Sequence, residues 1–164
     1  MEKKIITKCR SIKLMITDVD GVLTDGGMYY SEKGESLKKF NTRDAMGMEL
    51  LKKINIPTLL VTRENSKIVQ QRAKKIQVML YMNIKDKKSL LPKICREYKV
   101  EPKNIAYIGD DVNDIEIMKQ VGLTAVPHDA MNEIKTISDY VCTLRGGEGS
   151  FREFANLIIH FHSN

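Results

Sequence analysis

The chain has 164 residues, 42% hydrophobic and 29% charged, a balance that fits a folded domain with its own core and excludes a disordered chain. No apolar run approaches a membrane span, and the charge-broken start Met1-Glu2-Lys3-Lys4-Ile5-Ile6-Thr7-Lys8 does not read as a signal peptide, so one cytoplasmic domain over residues 1–164 is expected. The formal net charge is +6, from 27 Lys and Arg against 21 Asp and Glu, but these cations are spread through amphipathic segments with few aromatics, which favours an anionic small substrate over nucleic acid.

Ile12 to Thr17 reads as a buried first strand running into Asp18-Val19-Asp20-Gly21. Met28-Tyr29-Tyr30 and Ser36 to Phe40 flank Glu32-Lys33-Gly34, which predicts a hairpin flap over about residues 26–40. Asp44 reads as an N-cap for a helix carrying Met48, Leu51 and Ile54 and stopping at Asn55. Pro57 opens a second strand, Thr58 to Val61, ending at Thr62, and a helix from about Asn65 to Ile76 turns Ile68, Val69 and Ile76 inward. A strand is expected over 78–82, a helix over about 86–98, and a strand over 105–108 that ends at Gly109-Asp110-Asp111. A helix over 112–121, a strand over 123–126, a short helix over 131–136 and a strand over 140–142 continue the alternation. Gly146-Gly147-Glu148-Gly149 then breaks the chain, and a last helix over 151–161 lies in a C-terminal tail of about residues 145–164. Cys9, Cys95 and Cys142 are scattered and odd in number, which fits reduced thiols.

This alternation predicts an α/β fold, a Rossmann-like parallel sheet with helices on both faces. Such sheets bind ligands beyond the carboxyl ends of their strands. Asp18, Thr62 and Asp110 all stand at such ends, so their polar groups are expected to meet in one crevice. Asp18 and Asp20, two residues apart in extended chain, leave on the same side, and two anions that close call for a cation or a shared proton between them.

The run Asp18 to Thr24, the strand-end Thr62, a lysine opening a later helix, and Gly109-Asp110-Asp111-Val112-Asn113-Asp114 together resemble the haloacid dehalogenase superfamily of phosphotransferases over nearly the whole chain. The resemblance implies Mg²⁺ dependence and an aspartyl-phosphate intermediate. Asp18 is then the nucleophile. The metal ligands are the Asp18 and Asp110 side chains and the Asp20 backbone oxygen, supported by Asp111 or Asp114. The Asp20 side chain protonates the leaving oxygen and activates water. Thr62 donates to the phosphoryl oxygens, and Lys87, with Lys88 as the alternative, supplies a fixed cation.

Only the flap stands where the superfamily usually carries a cap. Asn41 to Gly47 and Arg145 to Glu153 resemble the capless tetrameric branch of sugar-acid phosphatases, in which one subunit's tail reaches its neighbour's active site. The implied partners are a phosphorylated sugar acid and further copies of the chain, with no nucleic acid and no membrane. Glu64, Arg72 and Lys75 match positions that look like the substrate-recognising set of the nine-carbon (nonulosonate, sialic-acid-like) 9-phosphate enzymes. Arg63 departs from the glycine usual there. Arg72 and Lys75 share a helix face, and Arg72 lies eight residues beyond Glu64, a span that suits a long sugar acid. An eight-carbon octulosonate 8-phosphate is the alternative substrate. A non-catalytic oligomerisation module of a sugar-nucleotide synthetase is the alternative of another class.

Overall fold

The computed structural model describes residues 3–162. It opens with a helix that the charged start of the sequence concealed, α1 (Lys3–Ser11), whose Ile5 and Cys9 lie one turn apart on the buried face. The first strand, β1 (Leu14–Thr17), begins two residues later than expected, because Ile12 still closes the end of α1 through its N–H to the Cys9 carbonyl.

The flap is an antiparallel hairpin of β2 (Tyr29–Ser31) and β3 (Gly34–Leu37), shorter than the sequence suggested. Helix α2 (Thr42–Lys53) is capped by Asn41, whose side chain accepts the Arg43 N–H. Asp44 is therefore not the cap; it lies in the first turn, buried, and accepts the N–H of Arg152 at 3.0 Å. β4 (Thr58–Val61) follows, then α3 (Lys67–Ile76), which begins after Ser66 and buries Val69 and Ala73, with Ile68 and Ile76 half-buried. β5 (Met79–Tyr81) comes next.

The helix expected over 86–98 is split. A 3₁₀ turn at Lys88–Leu90 leads into α4 (Leu91–Tyr98), since Pro92 is tolerated in a first turn but not in a helix interior. β6 (Ile105–Ile108) is followed by a 3₁₀ turn at Val112–Asp114 and the short α5 (Ile115–Met118), less helix than the sequence pattern suggested. β7 (Leu123–Val126), α6 (Asn132–Lys135), β8 (Tyr140–Val141) and α7 (Ser150–His162) complete the chain.

The six sheet strands are all parallel, in the order β5-β4-β1-β6-β7-β8. Neighbouring side chains on β1 divide between the faces. Met15 joins the core formed with α1, α2, α3 and α7, while Leu14 and Ile16 join the one formed with α4, α5 and α6. Helix α7 packs on α1 and α2 and buries Phe151, Phe154 and Ile158, each worth roughly 1.5–3 kcal/mol in apolar burial. Helix α7, within the expected tail, is thus packed into this subunit's own core. Of the expected tail, Arg145, Glu148, Asn156 and His160 are exposed, while residues 163–164 lie outside the described region.

The strand order reverses direction at β1, with β4 on one side and β6 on the other, which makes the gap between the carboxyl ends of β1 and β6 the switch point of the sheet. Asp18 and Asp110 stand on its two sides.

Candidate active site

The loop after β1 is a tight turn: the Val19 carbonyl accepts the N–H groups of Val22, Leu23 and Thr24, and the buried Thr24 hydroxyl accepts those of Gly21 and Gly26. Gly21 adopts φ +83°, and a Cβ there would lie 2.0 Å from Asp110 Oδ2. A side chain at this position would both strain the turn and displace the Asp110 carboxylate, so the turn calls for glycine.

Asp18 is 5% exposed. Its Oδ1 accepts the Val19 N–H at 2.7 Å, and its Oδ2 lies 2.9 Å from Lys87 Nζ. Lys87 Nζ also donates to Asp114 Oδ1 at 2.6 Å. The Lys88 ammonium instead points to the surface, 3.9 Å from Glu116, so Lys87 is the site lysine. Asp114 is fully buried and organises the floor: Oδ1 also accepts the Tyr107 hydroxyl, and Oδ2 accepts the Asp110 N–H at 3.1 Å. Carboxylate oxygens of Asp18, Asp110 and Asp114 lie within 4.8 Å of one another.

Three acids around one lysine leave excess negative charge. Burial, then the neighbouring Asp114, pushes Asp18 up to about 7 against the opposing pull of Lys87. Burial and the Asp18 and Asp114 charges push Asp110 up to about 8. Burial works to lower Lys87, but the Asp18 and Asp114 charges outweigh it and its pKa rises. A cluster of this kind has the charge and the oxygen donors for a hard cation.

A cavity of about 220 Å³ opens over these groups, lined by Asp18, Asp20, Thr62, Glu64, Asp110 and Asp111, with Gly21, Gly26, Arg63 and Asn113 completing the wall. Thr62, buried at the end of β4, donates its hydroxyl toward Asp20 Oδ2 at 3.4 Å and accepts the Glu64 N–H at 3.0 Å. Among the described residues, the non-glycine positions with positive φ are Asn55, Gln77, Asn83 and Lys99, so Arg63 takes the place of the usual glycine in ordinary backbone. Asp111 caps its own turn, accepting the Val112 N–H.

Two of the expected residues lie elsewhere in the subunit. Arg72 sits over the Phe40 ring, 5.5 Å from its centroid, and donates to the Asn41 carbonyl at 3.4 Å. Lys75 lines a separate groove with Met46, Glu49 and Met79. Neither reaches the cavity within one chain. Conversely, two site residues went unseen in the sequence. Tyr107 is a hydroxyl in the middle of a buried strand, a detectable anomaly. Lys38, just after β3, contacts Asp20, and nothing in the local sequence separates it from the exposed lysines.

The fold and site bring a strand-end carboxylate, a buried ammonium and an acidic cluster together at the switch point of a Rossmann-like sheet, an arrangement with the groups for metal-assisted phosphoryl chemistry. Residues 53–149 match the family model described as haloacid dehalogenase-like hydrolase. The 3-deoxy-D-manno-octulosonate 8-phosphate phosphatase KdsC of Salmonella typhi is 35% identical over 156 residues, covering 94% of this chain and 83% of that protein. Among solved structures, the phosphatase of the same name from Yersinia pestis superposes with a TM-score of 0.96 at 34% identity, covering 99% of this chain and 89% of the other. The Moraxella catarrhalis enzyme, solved in complex with magnesium ion, phosphate ion and a KDO molecule, gives 0.95 at 31% identity, covering 100% and 95%. The chain belongs to the haloacid dehalogenase-like hydrolase family, in the capless branch of these relatives. Among the described residues no helix is long and apolar enough to cross a membrane.

Proposed function

We propose that this chain is a Mg²⁺-dependent phosphoric monoester hydrolase acting on a phosphorylated 2-keto-3-deoxy sugar acid, with a nonulosonate 9-phosphate as its substrate. The observation that carries the reaction class is the Asp18 carboxylate at the end of β1, held 2.9 Å from Lys87 and grouped with Asp110 and Asp114. Asp18 attacks the phosphorus and the ester bond to the sugar oxygen breaks, leaving an aspartyl phosphate; Asp20 gives its proton to that oxygen. Asp20 then takes a proton from water as the water attacks the phosphorus, which releases inorganic phosphate and restores Asp18. Lys87 offsets the charge of the phosphoryl group and Thr62 donates to its oxygens. The Asp18 and Asp110 side chains, with the Asp20 carbonyl and support from Asp111 or Asp114, would hold Mg²⁺, which when bound neutralises the carboxylates and draws the phosphate to them.

The 220 Å³ cavity suits a phosphoryl group and the adjoining carbon, and is smaller than the usual ~300–1,000 Å³ ligand pocket. The remainder of the sugar acid lies outside it. Glu64 lines the cavity, and the residue pattern Glu64, Arg72, Lys75 supports the nine-carbon reading. Because Arg72 and Lys75 face away from the cavity of their own chain, they serve this role across a subunit interface of a homotetramer, Arg72 pairing with the sugar carboxylate. The names of the relatives favour the eight-carbon ester as the second reading. A phosphate-release assay over both esters with Mg²⁺ separates the two. Faster turnover of the nonulosonate 9-phosphate is expected, and preference for the octulosonate 8-phosphate would exchange the readings.

Metal removal should show as a pH-dependent loss of stability. Asp18 and Asp110 are raised from an ordinary 3.8 to about 7 and about 8, so they resist ionisation in the fold. Their contribution is fully present below the unfolded value and is lost as pH rises toward the folded values. The melting temperature of chelator-treated protein should therefore fall between about pH 5 and pH 8, and added Mg²⁺ should raise it more at the upper end. Scanning calorimetry checks this; an equal Mg²⁺ shift at both pH values would argue against metal binding at these carboxylates.

A further inference from the structure

Lys38 ties the flap to the catalytic end of the sheet. Its side chain is 1% exposed, whereas that of its neighbour Lys39 is 56% exposed. An ammonium this deep requires compensating charge, and Lys38 has two partners: Nζ lies 2.6 Å from Asp20 Oδ1 and 2.7 Å from Glu35 Oε1. Burial works to lower its pKa, and the bonds to Asp20 and Glu35 outweigh that. Glu35 is held in turn by its other oxygen, which accepts the Ser66 hydroxyl at 2.7 Å. Ser66 is the residue before α3, and its side chain makes no capping bond to that helix. A hydroxyl that ordinarily satisfies a helix start is turned to the flap instead.

The two oxygens of Asp20 are thereby divided. Oδ1 is gripped by Lys38, and Oδ2 lies beside Thr62 on the wall of the cavity. We propose that Lys38 is a positioning residue that aims Asp20 Oδ2 at the oxygen entering or leaving the phosphoryl group. The inference rests on the assignment of Asp20 as proton carrier. An aspartate on a turn is otherwise free about two side-chain torsions, and a misplacement of about 1 Å in a reacting group can cost about a hundredfold in rate. The flap then acts on the chemistry and does not only cover the site.

The test compares kcat and KM of K38M, K38R, S66A, D20N and the K38M/D20N double variant on whichever sugar acid ester is turned over, with thermal melting to establish folding. K38M is expected to lower kcat by about tenfold or more with KM within about twofold of wild type, and K38R to recover part of the loss. The double variant should be no slower than D20N alone, because Lys38 works through Asp20. S66A keeps the Lys38 to Asp20 pair and should lose less than K38M. A rise in KM with unchanged kcat in K38M, or losses that multiply in the double variant, would overturn the positioning role. Should K38M not fold, K38Q carries the same expectations. Wild-type turnover by D20N would instead bring down the proton-carrier assignment, while an impaired D20N beside a fully active K38M brings down the Lys38 inference alone.

Discussion

Asp18→Asn is expected to abolish sugar-phosphate hydrolysis, lowering kcat by at least about four orders of magnitude, because an amide cannot form the covalent phosphoryl intermediate. The substitution is close to isosteric and its structural effects are opposed in sign. Asn keeps an oxygen for the Val19 N–H. It removes one anion from a cluster where three carboxylates share a single lysine. Lys87 keeps Asp114 as a partner at 2.6 Å. Since burial and Asp114 already raise Asp18 to about 7, its negative charge is costly in the fold. The metal-free variant should therefore melt at or above the wild-type temperature while being inactive. Phosphate release measured beside a thermal melt separates lost chemistry from lost structure. Substantial turnover by a folded D18N protein would remove Asp18 from the nucleophile role.

Lys87→Met should have the opposite stability signature. Lys87 is 2% exposed and is the cation bonded to both Asp18 and Asp114. Its removal leaves buried carboxylates facing one another without a fixed counter-charge, and breaking a buried pair in this way costs about 3–5 kcal/mol. Activity should fall with it, since the phosphoryl group loses the ammonium that offsets its charge. Urea unfolding of metal-free protein is the direct measure, and Mg²⁺ should restore part of the stability by taking over the neutralisation. Lys87→Arg should not rescue, because a planar guanidinium does not fit a site shaped around a point charge. A K87M protein as stable as wild type would mean that the acidic cluster is balanced by something other than Lys87.

D18N and K87M remove the two members of one ion pair, yet the expected stability changes differ in direction. That difference follows from the count of charges in the site, three acids to one lysine, and not from the strength of the pair itself.

The alternation of short apolar strands with amphipathic helices was enough to specify the parallel sheet, and the strand-end rule was enough to bring Asp18, Thr62 and Asp110 together, because both depend on periodicity along the chain. Helix α1 escaped notice for the same reason in reverse. It offers only a short apolar face, and Ile5 and Cys9 become core residues when α7, far along the chain, packs against them. Asp44 has the residue type of a cap and sits one turn from where Asn41 performs that function. Its burial against α7 is a long-range contact that local preference does not encode.

The site divides along the same line. The reaction class was legible in the sequence through its resemblance to the haloacid dehalogenase superfamily, carried by short motifs that fix Asp18, Asp20 and Asp110 to strand ends. The sequence favoured Lys87 with Lys88 as the alternative, and packing separates them: adjacent residues at this 3₁₀ turn point about 120° apart, and Lys87 is the one turned inward. The structure also sent Arg72 toward Phe40 and Lys75 into a groove beside α2, although their helical spacing put them on one face as expected. It brought Lys38, one of 27 basic residues, onto Asp20 through a hairpin whose position against the catalytic end of the sheet no local pattern specifies. Short-range regularity set which carboxylates stand at the strand ends, and long-range packing decided which cations stand beside them.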